Sequence, residues 1–163
     1  MSFESSRQSG SPHHFLAQLV GRWTGASLTW LDPDAAPHEA ATQGSIQLIL
    51  DGRFALYLYQ TSMDGEAAHG MFMFGYNTSL DRYEADWVDS FHNNTAIMFC
   101  TGNAKGNGFF VLGSYPDPEG GPDWDWRTEV LLVEPDHLSI IAYNIGPEGK
   151  EDRAVETHLR RTG

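Results

Sequence analysis

Arg82-Tyr83-Glu84-Ala85-Asp86-Trp87-Val88-Asp89 is the stretch on which the fold turns. Tyr83, Ala85, Trp87 and Asp89 share one face, and Arg82, Glu84 and Asp86 share the other. That two-residue period belongs to a strand with one side against a core. The pattern returns further along, where Trp124, Trp126, Thr128, Val130 and Leu132 alternate with Asp125, Arg127 and Glu129. One polar and one apolar face per strand is what the wall of an antiparallel barrel requires.

Outward from this stretch the chain reads as strands and turns. Segments at about 22–30, 44–50, 53–61, 68–76, 82–90, 94–101, 108–115, 124–133, 137–145 and 152–160 are rich in aromatic and β-branched residues. Asp51-Gly52 is a two-residue hairpin signal of the type that needs positive φ at both positions. Asp64-Gly65, Gly106-Asn107-Gly108, Glu134-Pro135-Asp136 and Pro147-Glu148-Gly149 mark further corners. Short connections favour antiparallel neighbours, and closure into a barrel removes the edge strands. The expectation is therefore an all-β fold, a single up-and-down barrel of about ten strands over residues 12–163. One short N-terminal helix is expected from Pro12 to Val20, with Ser11 as N-cap, Pro12 at its first position and Gly21 as its stop. Residues 1–11, rich in Ser and Gly, read as a flexible tail.

A chain of 163 residues makes one domain, and 40% hydrophobic residues suffice for a core. With 22 acids against 10 bases the net charge is -12. Such a surface repels phosphate backbones and anionic headgroups, so nucleic acid and membranes are excluded as partners. No apolar run approaches the roughly 18–20 residues of a membrane helix. Residues 1–10 lack the apolar stretch of a secretory signal, and Cys100 stands alone, so a cytoplasmic protein is expected.

Gly21-Arg22-Trp23, opening the first strand directly after a short helix, resembles the Gly-x-Trp signature of lipocalin-like (calycin) barrels. The resemblance implies that Trp23 plugs the barrel base and that a late arginine packs across it. Arg160 or Arg161 is placed to do so, and Arg161 is the one assigned. More of the chain is similar to an uncharacterised bacterial family of calycin barrels known as a domain of unknown function. The matching pieces are Leu19 to Gly25, Asp51-Gly52-Arg53-Phe54, Gly75-Tyr76-Asn77 leading to Tyr83, Trp87-Val88-Asp89-Ser90, and Gly146 to Glu151. That resemblance implies a fold and no catalytic residue. Met71, Met73 and Leu58 depart from it, standing where outward polar residues are expected.

The chain carries few motifs of chemical function. There is no Cys-x-x-Cys, no His-Glu-x-x-His and no Gly-x-Ser-x-Gly, so metal sites and a hydrolase triad have no support. Asp117, Glu119, Asp123 and Asp125 miss the calcium-loop spacing and read as a solvated acidic loop. His13 and His14 read as surface residues, and His38, His69, His92 and His137 as solvated residues near turns. Tyr59-Gln60-Thr61 faintly resembles the nitrobindin-type calycins, in which a late histidine binds haem. Val155, Thr157 and Leu159 form the inner face of their strand, however, which puts His158 outside with Glu156. No cofactor is expected, with haem in the lumen kept as an alternative.

The interior is more informative. With Trp23 inward, parity places Phe72, Phe74, Tyr76, Trp87, Trp126 and Thr128 inside and Asp89 near a strand end. An aromatic-walled lumen with a few polar groups is a ligand site, with a close-packed core as the alternative. Buried Asp89 requires a hydrogen-bonding partner, either a ligand or a backbone amide at the rim. Strands 53–61 and 68–76 are apolar on both faces, so Tyr57, Tyr59, Met71 and Met73 read as a homodimer patch. The leading expectation is non-catalytic binding of a small apolar or aromatic molecule in the lumen. The alternatives are an enzyme or haem protein using the same lumen, with Asp89 as acid/base, and a ligand-free dimeric interaction module.

Overall fold

A computed structural model covers residues 1–163. Two short helices, α1 (Phe3–Ser6) and α2 (Pro12–Gln18), precede ten strands. These are β1 (Gly21–Thr29), β2 (His38–Ile49), β3 (Phe54–Met63), β4 (Glu66–Asn77), β5 (Arg82–Asp89), β6 (Met98–Gly102), β7 (Gly108–Tyr115), β8 (Trp124–Glu134), β9 (His137–Ile145) and β10 (Glu151–Arg161). Each strand pairs antiparallel with its neighbour in sequence, and β1 pairs with β10 to close the barrel. The all-β up-and-down architecture is the one the alternation implies. No helix is long and apolar enough to cross a membrane.

Closure leaves the barrel with two unlike ends. The end that carries the 50–53 and 135–136 turns and both helices is plugged. Trp23, Phe74, Phe109, Leu138 and Leu159 have no exposed surface there, and Leu16 and Leu19 of the α2 segment pack onto them. Trp23 Nε1 donates to the Leu19 carbonyl at 2.9 Å, and the Arg161 guanidinium lies 4.3 Å from the centre of the indole. The same guanidinium donates to the carbonyls of Gln18, Val20 and Pro135. One side chain of the closing strand thus ties the helix end, the β8–β9 turn and the base tryptophan together. A cation over an indole contributes about 0.5–2 kcal/mol.

Several local expectations need correction. Residues 1–11 are not a bare tail: Ser2 and Ser5 form a capping box around α1. Phe3 packs edge-on against His13, with the Arg53 guanidinium 4.6 Å from its ring centre. His13 is correspondingly buried rather than a surface residue. Its Nε2–H donates to the Arg53 carbonyl at 3.1 Å, so Nδ1 accepts from the buried Ser6 hydroxyl. The tight two-residue hairpin is Asp64-Gly65, both with positive φ, directly between β3 and β4. Around Asp51-Gly52 the connection is longer, residues 50–53, with Leu50, Asp51 and Gly52 all at positive φ. Strand β6 starts only at Met98, because residues 90–97 form a loop at the open end.

Burial, the main cause, holds the His13 pKa below its ordinary 6.5. The unfolded chain therefore binds a proton that the folded chain resists, and stability falls as pH drops below about 6.5. His13→Asn should flatten the decline of the urea midpoint between about pH 7 and pH 5. Parallel slopes for the two proteins would show that His13 is not the responsible group.

Candidate functional site

The open half of the barrel encloses a cavity of about 70 Å³ that reaches solvent at the mouth. Its two walls differ. One is aromatic: Tyr57 and Tyr59 from β3, Phe72 from β4, Trp87 from β5 and Trp126 from β8. The rings are nearly parallel, with Phe72 and Trp87 at 5.4 Å and 3° and Trp87 and Trp126 at 5.2 Å and 25°. Trp87 Nε1 donates to the Tyr59 hydroxyl at 3.0 Å, fixing both rings. Burial, above all, raises the phenol pKa of Tyr57 and of Tyr59, so both are neutral. Gly70 makes room for this wall, since a Cβ there would overlap the Tyr59 ring.

The facing wall comes from β1, β2, β3 and β10 and is built of hydroxyls. Ser27 Oγ is hydrogen-bonded to Thr42 and Thr157, each at 2.7 Å, and Thr42 bonds Thr61 at 2.9 Å. These groups satisfy one another and make no demand on a ligand. Two others are unsatisfied. Trp126 Nε1 and Thr128 Oγ1 are buried among the lining residues without a hydrogen-bond partner. An unpaired buried polar group costs about 1–3 kcal/mol.

At the mouth Asp89 ends β5 and turns the chain. Its carboxylate accepts from the His92 ring Nδ1–H and the His92 amide, both at 2.9 Å, and from the Asn93 amide at 2.6 Å. Burial opposes its charge, but the bonds from the His92 ring and the two amides outweigh this and hold its pKa below the ordinary carboxylate value. With Nδ1–H committed to a carboxylate, neutral His92 carries its free lone pair on Nε2. No Lys or Arg lines the cavity.

Residues 8–161 match the model of a family described as proteins of unknown function, DUF1579. The chain belongs to that family. No curated protein matches it. Among solved structures it is similar to Rv2717c from M. tuberculosis, at 16% identity and a TM-score of 0.60, over 94% of this chain and 99% of that one. It is also similar to the S-type phycobiliprotein lyase CPES from Guillardia theta, at 14% identity and a TM-score of 0.62, over 100% of this chain and 99% of that one. At such identities the likeness shows the fold alone, so the site of this DUF1579 member rests on its own geometry.

Of the residues singled out from sequence, Phe72, Trp87, Asp89, Trp126 and Thr128 come together at the cavity. Phe74 and Tyr76 do not. Phe74 is fully buried against Phe109 in the plugged half, and Tyr76 sits at that end with its hydroxyl on Asp81. Tyr57 and Tyr59 are not outward patch residues either. The Asp64-Gly65 turn pairs Met63 with Glu66, which sets Tyr57 opposite Phe72 and Tyr59 opposite Gly70, all facing the lumen. Met71 and Met73 do face outward, beside Leu56 and Leu58. The hydroxyl wall and His92 were not anticipated. Ser and Thr carry no strong facing signal, and only the chain reversal after Asp89 brings His92 back to it. His158 is on the outer surface, bonded to Glu156 and His137. Cys100 is buried, and burial pushes its thiol up to about 12, away from nucleophilic use.

Asp89→Asn removes the charge that gathers two amides and a ring. The backbone amides of His92 and Asn93 should exchange with deuterium at least about tenfold faster, the loss of about 1.4 kcal/mol of local stability. Unchanged exchange at both amides would mean that the loop is ordered by something else.

Proposed function

We propose that the protein binds a small apolar or aromatic molecule in the open half of its lumen and does not transform it. The observation that carries this reading is the pairing of a nearly parallel aromatic wall with a self-satisfied hydroxyl wall across a solvent-reaching cavity. Stacked walls suit a flat guest, and burial of aromatic surface supplies the affinity. Two groups support a binding role: the only thiol is buried, and the Asp89 carboxylate is held by the His92 ring and two amides rather than facing a guest.

The cavity also limits size. About 70 Å³ is roughly half of the ~150 Å³ in which an engineered protein cavity holds benzene. A single ring, reaching toward the open mouth, is therefore the scale of the guest, and a macrocycle is not.

The homodimer surface that fits this structure is the outer face of β3 to β6. Leu56 and Leu58 of β3, Met71 and Met73 of β4, Val88 of β5 and Phe99 of β6 share the outer face of adjacent strands. A second copy fits it because a largely apolar face, broken by Asp86 between Met73 and Phe99, needs little opposite charge from its own image, whereas the remaining surface of a -12 chain repels itself.

Native mass spectrometry of the freshly purified chain, followed by benzene titration, tests both statements. A small co-purifying mass, or benzene binding weakened about tenfold by Trp87→Ala (about 1.4 kcal/mol), is expected. Equal benzene affinity for the two proteins would count against the lumen as the site. A spectrum holding only monomer at micromolar concentration would remove the dimer.

A further inference from the structure

The two polar atoms nearest to being free at this cavity ask for opposite things. Trp126 is 6% exposed, and its Nε1–H, which can only donate, has no acceptor. His92, tilted against the Trp126 ring with centroids 5.2 Å apart, has Nδ1–H engaged by Asp89, so in the neutral imidazole Nε2 is the acceptor. Nε2 makes no hydrogen bond within the protein, and the imidazole stands at the mouth where the cavity opens.

We propose that the guest is a monocyclic phenol, its ring on the Phe72–Trp87 part of the wall and its hydroxyl at the edge of the Trp126 ring beside His92. This rests on the binding reading given above and names its ligand class. A hydroxyl is the smallest group that answers both atoms: its oxygen accepts from Trp126 Nε1–H while its proton is donated to His92 Nε2. Thr128, also buried without a partner and next inward from Trp126 on β8, offers a second hydroxyl on the same wall.

Other classes leave one demand unmet. A plain hydrocarbon ring stacks equally well but leaves the indole N–H unpaired. An aryl ether accepts from the indole and has nothing to give to Nε2. A carboxylate accepts only, and neither Lys nor Arg lines the cavity to neutralise it beside Asp89. A haem or another large conjugated system exceeds the space of about 70 Å³. Selection of a hydroxyl by paired buried groups is stronger than selection by shape, because the analogue that lacks it leaves those groups unpaired.

The test is a set of titrations of the full chain, by calorimetry or NMR, with benzene, anisole, phenol and benzoate. Phenol should bind at least about tenfold tighter than benzene and anisole, with benzoate weakest. Trp126→Phe keeps the stacking ring and removes the donor, and His92→Ala removes the acceptor at the rim. Each should bring the phenol-to-benzene affinity ratio down toward one. Benzene binding without a phenol preference, or a preference that survives both substitutions, overturns the phenol assignment and leaves the binding reading standing. Absence of binding by every aromatic probe overturns the binding reading, and the phenol assignment with it.

Discussion

Ten strands closed edge to edge enclose more space than side chains fill without help. A barrel of about eight strands has an interior just wide enough for its own side chains, and diameter grows with strand number. Every other feature of this protein answers that surplus. In the plugged half it is taken up by large groups, Trp23, Phe74, Phe109, Leu138 and Leu159, with the α2 segment as a lid. In the open half Ser27, Thr42 and Thr157 line the lumen from β1, β2 and β10, whereas Tyr57, Tyr59, Phe72, Trp87 and Trp126 line it from β3, β4, β5 and β8. Rings cannot interdigitate with Ser27, Thr42 and Thr157 across the lumen, and a cavity is what remains.

The rigidity of that cavity is built at its ends. Arg161 joins the closing strand to three carbonyls and the Trp23 indole, so the β1–β10 seam is held where the barrel begins. On the opposite seam Asp89 plays the corresponding part for the mouth, converting the first turn after β5 into a fixed loop that presents His92. Between them, the Trp87–Tyr59 hydrogen bond locks neighbouring rings, and the hydroxyl chain locks the facing wall. Such satisfied internal networks resist rearrangement in a low-dielectric interior. A pocket whose walls are already paired loses little freedom when a guest enters.

Strict alternation made the inward faces of β5 and β8 legible, and with them Trp87, Asp89, Trp126 and Thr128. The need of Asp89 for a partner also followed from burial alone. Strand β3 resisted because Tyr57 and Tyr59 face Leu56 and Leu58 across an equally apolar ribbon, so composition cannot choose a side. The register does choose, through the two-residue turn at Asp64-Gly65. That turn carried the information, but Asp51-Gly52 has the same sequence signature and a different, wider connection. Phe74 and Tyr76 share the parity of Phe72, and alternation says nothing about depth along the barrel axis. The α1 turn was hidden by its Ser-rich composition, although Ser2 and Ser5 are its capping pair.

The lumen is tested most directly by a high-resolution crystal structure of the chain soaked with benzene. Ring-shaped density stacked on the Trp87–Trp126 wall, with the Ser27–Thr42–Thr157 chain intact opposite it, is the predicted result. A lumen in which the aromatic side chains have collapsed across the gap, leaving no density between the two walls, would contradict a binding role and make the barrel a filled scaffold.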